Sequence, residues 1–403
     1  MSSIIGLTIS LILIVSLVIM RANYGLALII GAIILGLSLN IQPETILKIF
    51  IESITDQMTI SLMIIVSLIP ILASCMRESG LIDKMIADIK TILPGRYVLA
   101  IMPAIMGALP MIGGALLSAP LIDDESNRLG LTSEDKSFIN VWFRHWNFLV
   151  YPLASSLILA SSLAGVNLYT LISFHIIPTL IYIMLGYILS IRRIEDEWKP
   201  EETRNLRAIL TIPISLSPIL LAVFLNIAGV HMAISLAVGI ILTLILGRVQ
   251  VKEIPKIIVE GFSWKIPFAM VGVMFFREMI DYADIFSEIL PNAGVIGGNV
   301  VVLLVFMGLA IGLATAMPSL GIAIIFSIAQ ALIGDLDLAI TSLLYSSLVF
   351  SYIISPMHLC LILTVEYYKA KLHLVYRKLI PASIISYTTF IISSIIMEAI
   401  LQI

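Results

Sequence analysis

Charged side chains are scarce: Asp, Glu, Lys and Arg make up 12% of the 403 residues, against roughly 25% in an ordinary soluble domain. Uncharged runs recur along the chain instead, at 2–20, 22–42, 208–246, 289–334 and 381–397. A bilayer crossing takes about 20 apolar residues. With a mean hydropathy of +1.10, the chain reads as an all-α polytopic membrane protein and not as a soluble domain. Cysteine is nearly missing too. Cys75 and Cys360 stand far apart in apolar surroundings, which excludes a disulfide framework.

Catalytic and nucleotide signatures are also missing. No GxxxxGK[ST] loop is present, so ATP does not drive this chain by itself. Neither HExxH, nor paired Asp, nor Ser with His or Lys falls in a plausible span, so no enzyme activity is expected. No span centre holds an unambiguous Asp or Glu, which weighs against a cation/proton antiporter. The net charge of −3 is uninformative about orientation, and no nucleic-acid partner or bound cofactor is expected. The first apolar run has no basic start and no small-residue cleavage site, so it reads as an anchor and not as a signal peptide.

What is present is a duplicated pattern. Apolar periodicity places spans at roughly 3–20, 24–41, 58–75, 138–162 and 168–191, then 208–226, 229–247, 266–280, 339–365 and 379–401. Linkers at 43–57, 78–93, 251–262 and 281–290 interleave charges with Ile, Leu and Val and read as surface helices. Two apolar stretches, about 97–122 and 298–334, fit no single span. Short matches link the halves: Met76-Arg77-Glu78 with Phe276-Arg277-Glu278, Leu109-Pro110-Met111-Ile112-Gly113 with Met317-Pro318-Ser319-Leu320-Gly321, and Ile177-Pro178 with Ile380-Pro381. Pro152 followed by Leu157-Ile158-Leu159 returns as Pro356 followed by Leu361-Ile362-Leu363.

Charge then tests the topology. If each odd stretch enters and leaves by one face, each half crosses five times and the second half is inverted. One face then collects 20 of the 23 Lys and Arg residues, the bias expected of a cytoplasmic side. Both termini fall on the extracytoplasmic side of the cell membrane. The two inverted repeats are 1–206 and 207–403.

Each odd stretch is rich in Gly and Pro. A re-entrant helical hairpin suits both, turning near Pro110–Gly114 (GALPMIGGALLSAP) in the first and near Thr315–Gly321 (ATAMPSLG) in the second; two short tilted crossings also fit the second. Broken helices are tolerated at membrane depth where they line a polar cavity, and their ends bind ions there. Gly and Pro are also simply common in transmembrane helices, but a break at matching places in both halves favours a site. The following spans are discontinuous as well, at Pro152 and Pro356. Oxygens lie nearby on Asn147, Tyr151, Ser155 and Ser156, and on Ser351, Tyr352 and Ser355, with His358 alongside.

Arg144 has two readings. Buried, it offers bidentate recognition of a carboxylate or phosphate; otherwise it snorkels to the cytoplasmic face, with Trp142 and Trp146 as interfacial anchors. His145 and His358 are structural or carry protons. Glu78 and Glu278 read as local ion pairs with the adjacent Arg, and Asp123, Asp124 and Glu366 as solvated. The candidate substrate and ion site is therefore Pro110, Gly113, Gly114, Ser118, Arg144, Asn147, Tyr151, Thr315, Pro318, Ser319, Ser351, Tyr352, Ser355 and His358.

With GALPMIGGALLSAPLIDD and AMPSLGIAI as hairpin tips and the interruptions at Pro152 and Pro356, the chain resembles the ion transporter superfamily of secondary carriers. That superfamily includes divalent-anion/sodium symporters and gluconate permeases. Within it, the whole chain looks like the integral membrane family called domain of unknown function 401. The resemblance implies a homodimer, a scaffold part at about 1–75 and 207–280, and a transport part at about 96–192 and 298–403 that moves like an elevator. It also implies that Pro110, Gly113 and Gly114 stand at one tip and Thr315, Pro318 and Ser319 at the other. The Ser-Asn-Thr tips typical of dicarboxylate symporters are absent, with no hydroxyl in the first tip before Ser118. The expected function is secondary active transport of a small organic anion, coupled to Na⁺ or H⁺. A cation/proton antiporter is the alternative, and an intramembrane enzyme or a channel fits less well.

Overall fold

The computed structural model describes residues 2–109, 114–196, 206–284 and 298–401, and all regular structure among them is helical. The first half runs α1 (Ser2–Ile19), α2 (Tyr24–Ser38), α3 (Pro43–Thr55), α4 (Gln57–Glu78) and α5 (Leu81–Ile92). A helix pair follows, α6 (Gly95–Ala108) and α7 (Gly114–Arg128), then α8 (Ser133–Arg144), the single turn α9 (Asn147–Val150), α10 (Ser155–Ala164) and α11 (Leu168–Leu189). The second half runs α12 (Leu206–Ile227), α13 (Met232–Leu246), α14 (Ile254–Gly261) and α15 (Lys265–Ala283). It continues with α16 (Gly298–Thr315), α17 (Pro318–Ile333), α18 (Leu338–Ile354), α19 (Leu359–Tyr367) and α20 (Leu372–Leu401). Residues 285–290 of the surface helix expected at 281–290 lie outside the described residues.

Helix starts follow the local chemistry. Asn23, Asp56, Thr132, Asn167 and Asp337 each sit in extended backbone and accept from first-turn N–H groups of α2, α4, α8, α11 and α18. These caps satisfy donors that have no intrahelical partner. Helix α12 turns most of its surface outward, with only 22% of its apolar window buried, whereas 67% of the window over 133–164 is buried. Apolar residues on the outside, such as Leu210, Leu220, Phe224, Ile241 and Ile245, are exposed, as a hydrocarbon solvent requires. The broken helix α8–α10 is the centre of the molecule.

The halves pack in exchangeable pairs. Helix α2 lies on α15 and α13 lies on α4; α3 lies on α15 and α14 lies on α4. The α2–α15 contact is backbone on backbone: a Cβ on Gly272 would stand 2.3 Å from the Gly25 carbonyl oxygen, and one on Gly25 would stand 2.5 Å from Ala269 Cα. Small residues permit such approach where lipid offers no hydrophobic drive. Gly272→Val is expected to separate these helices and to lower the melting temperature in detergent by several degrees. A melting curve indistinguishable from that of the parent protein contradicts this packing.

Three expectations need correction. Trp142 is no interfacial anchor: it is fully buried, stacked on Tyr182 with ring centroids 4.0 Å apart, and donates Nε1–H to the Tyr182 carbonyl at 3.1 Å. The reason is that α8 is packed among α6, α7, α11, α19 and α20, which cover the face that carries Trp142. Asp123 is not free in solvent but pairs with the buried Lys136 ammonium at 3.0 Å. Arg277 pairs with Asp281 one turn on, at 3.9 Å, and not with its neighbour Glu278. Arg77 does bond Glu78, at 2.9 Å. Asp124 and Glu366 are exposed.

Candidate functional site

The two proline breaks lie beside each other. In the first, Tyr151 and Ala154 are extended around Pro152, and in the second Ser355 and His358 are extended around Pro356. Each break ends one helix and starts another inside the protein. The N-terminal turns of α10 and α19 have no side-chain cap, so their N–H groups stay available, with the positive end of a helix dipole behind them.

A cavity of about 300 Å³ opens between these breaks and the end of α6. Gly107, Ala108 and Leu109 close one side; Arg144, His145, Asn147, Tyr151 and Ala154–Ser156 line another; Tyr352 and Cys360 complete it. No Asp or Glu is among the described lining residues. Arg144 is 7% exposed and is the last residue of α8. Six residues at 1.5 Å rise place it roughly 9 Å along α8 from Phe138, where the charged first turns of the helix end. The C-terminal end of α8 is the negative end of a dipole, which makes a buried cation less costly there.

Hydrogen bonds hold the lining in place. Asn147 Nδ2–H donates to the Gly107 carbonyl at 2.7 Å, and Trp146 Nε1–H to the Ala104 carbonyl at 3.0 Å, tying the end of α6 to the first break. A Cβ on Gly107 would stand 2.0 Å from the Arg144 carbonyl oxygen. Asn147 Oδ1 is buried without a hydrogen-bond partner. Tyr345 Oη–H donates to the Phe148 carbonyl, and His175 bridges the Leu149 carbonyl at 2.9 Å and Ser342 at 3.0 Å, fastening the break to α18. The arrangement, one guanidinium and uncapped helix starts without a carboxylate, suits an anion.

Arg144, Asn147, Tyr151 and Tyr352 thus share one cavity, and His358 lies against its wall, 4.1 Å from Tyr352 between ring centroids. Other candidates lie elsewhere. Ser351 and Thr315 turn back to carbonyls of their own helices, while Ser355 donates to the Leu313 carbonyl at 2.5 Å. Pro318 is the first residue of α17 and Ser319 the second. The described residues of the second tip do not line the cavity; the helix they start packs on α15, α10 and α16. Ser118 is buried within α7, and Gly114 is the first residue of that helix. Pro110 and Gly113 lie outside the described residues. The residues missed from sequence are Cys360, in the lining, and His175, which fastens the break to α18; their proximity to the site is purely tertiary, and His145, read as structural or proton-carrying, also lines the cavity.

A matching family model covers residues 1–400 and bears the description "Protein of unknown function (DUF401)". The chain belongs to this family. In fold it is similar to the YdaH transporter of Alcanivorax borkumensis, whose crystal structure is described as having an unusual topology. The TM-score is 0.63 at 13% identity, with 86% of each chain covered. No curated protein matches the chain in sequence. Six described helical stretches are long and apolar enough to cross a membrane, or seven if the bent pair α14–α15 counts as one span. The DUF401 chain is a multi-pass membrane protein with a transporter-like fold.

The base of the first helix pair carries an ion-pair staple. The Asp196 carboxylate accepts from the Arg96 backbone N–H at 3.0 Å and pairs with Arg128 at 2.9 Å, joining both ends of the α6–α7 pair. Burial pushes its carboxyl up, but the Arg96 N–H and the Arg128 guanidinium outweigh this and hold it below the usual carboxylate range. Because the folded value is depressed, the staple is complete above the ordinary pKa of about 3.9 and is lost only as pH falls further. Hydrogen exchange across α6 and α7 is expected to stay constant from pH 5 to 8 after correction for intrinsic rates, and to rise several-fold at neutral pH in Asp196→Asn. Unchanged exchange in that variant contradicts the staple.

Proposed function

We propose that this DUF401 chain is a secondary active transporter of a small organic anion, coupled to Na⁺ or H⁺. The observation that carries this reading is Arg144, almost covered by protein, in a cavity built from two helix breaks and the end of α6 with no acidic residue among its described lining residues. An anion held there gains charge-assisted hydrogen bonds from the guanidinium and from the N–H groups at the start of α10. The unpartnered Asn147 Oδ1 and the carbonyls exposed at the breaks supply oxygens for Na⁺.

Membership of the ion transporter superfamily, two inverted repeats at 1–206 and 207–403, and re-entrant pairs α6–α7 and α16–α17 belong to the same proposal. The exchangeable packing of α2 on α15 and α13 on α4 supports the repeat, and the basic bias of one face supports the inversion, with both termini outside the cell membrane. The pair α6–α7 has helices of 14 and 15 residues, each spanning roughly 22 Å, which supports re-entry better than crossing. A homodimer whose transport part moves like an elevator against its scaffold completes the mechanism. The positive cavity disfavours the antiporter reading.

Uptake into proteoliposomes across a panel of organic anions, with Na⁺ and pH gradients imposed separately, tests this. Concentrative uptake of one anion class driven by one of the gradients is expected. Uptake that ignores both gradients excludes a coupled carrier.

A further inference from the structure

Beside Arg144 lies a cluster that anion transport leaves unused. His145, His358 and Cys360 place one ligand atom each within 4.8 Å of one another. His145 is 1% exposed and His358 is fully buried. Each imidazole donates Nδ1–H to a backbone carbonyl, His145 to Val141 at 2.5 Å and His358 to Ile353 at 3.1 Å. That bond fixes the tautomer and puts an accepting lone pair on Nε2, the arrangement that backbone carbonyls impose on metal-bound histidines. His358 Nε2 has no hydrogen-bond partner although it is buried. Among the described residues His145 Nε2 meets the Tyr352 hydroxyl, at 3.3 Å, and Tyr352 and Cys360 line the same cavity.

We infer that His145, His358 and Cys360 form a binding site for a soft monovalent metal ion such as Cu⁺. Two imidazole nitrogens and a sulfur form a donor set that selects soft or borderline transition metals and rejects Na⁺ and Mg²⁺. Atoms bound to one ion by bonds of about 2.0 Å (N) and 2.3 Å (S) stand roughly 3.3–3.8 Å apart. The present spacing needs a closure of about 1 Å, within reach of the Cys360 side chain at the start of α19. Charge decides the valence. With the thiol deprotonated, a monovalent ion on two neutral imidazoles and one thiolate has no net charge, and the adjacent Arg144 does not oppose it. A divalent ion leaves one positive charge beside a buried guanidinium.

The inference is independent of what the protein carries, because binding is measured on purified protein without uptake. Ag⁺ serves as the probe in a Cys75→Ala background, with Zn²⁺ as the divalent comparison. One Ag⁺ per chain is expected, bound at least tenfold more tightly than Zn²⁺. Cys360→Ser and, separately, His358→Gln weaken Ag⁺ binding at least tenfold while the elution volume and melting curve stay those of a folded protein. Two variants on different sides of the site keep the test valid if one fails to fold. Ag⁺ binding that survives both substitutions, absence of binding, or tighter binding of Zn²⁺ overturns the assignment.

Discussion

Arg144→Gln is expected to reduce anion uptake about 100-fold while the protein still inserts and elutes as a folded species. A charge-assisted hydrogen bond to a buried partner is worth about 1.5–3 kcal/mol, and each 1.4 kcal/mol is a factor of ten. A bidentate guanidinium supplies two such bonds in fixed geometry. Arg144→Lys keeps the charge but not the fork, so partial uptake should return. The competing role is structural: a cation on the last turn of α8, complementing its dipole, worth about 0.3–1 kcal/mol. Under that role Gln costs a little stability and leaves uptake within about threefold of the parent. Uptake and melting temperature measured together separate the two.

Gly107→Ala is expected to abolish uptake with a single added methyl group. Its Cβ would meet the Arg144 carbonyl oxygen at 2.0 Å, and the neighbouring carbonyl carbon at 2.9 Å. Both are backbone atoms at the end of α8, so no rotamer change relieves the clash. Overpacking of this kind costs roughly 1–3 kcal/mol. The strain falls on the contact between the tip of α6 and the first break, where Asn147 holds the Gly107 carbonyl. The tip moves away, and with it one wall of the cavity. Binding of the transported anion, measured by calorimetry on the detergent-solubilised variant, should fall with uptake. Full binding and full uptake in Gly107→Ala would mean that this contact does not shape the cavity.

Much of the helical order was legible because a hydrocarbon solvent leaves a strong imprint. Long uncharged runs became helices, and the matched prolines Pro152 and Pro356 marked the breaks, since a missing donor shows in the letters themselves. Amphipathic linkers became α3, α5 and α14 for the same reason. What stayed hidden depended on neighbours far away in sequence. Trp142 carries the composition of an interfacial anchor, yet its ring is packed inside against Tyr182. Ser319 looked like a ligand at a tip and is not among the residues that line the cavity. His145 and Cys360 are separated by more than two hundred residues and meet only because the breaks are adjacent in space. In a sequence that is 60% apolar, a lone His or Cys gives no sign of which wall it will face.

The central claim is that the second half repeats the first upside down, so that fractured helices from both meet midway through the bilayer. Cysteines introduced singly for Asp124 at the base of the first helix pair and for Asp335 beyond the second, both exposed, test it in a Cys75→Ala, Cys360→Ser background. An impermeant maleimide is applied to intact cells and to inverted vesicles. Inverted halves predict that Asp124→Cys labels only in inverted vesicles and Asp335→Cys only in intact cells. Labelling of both positions from the same side would contradict the account.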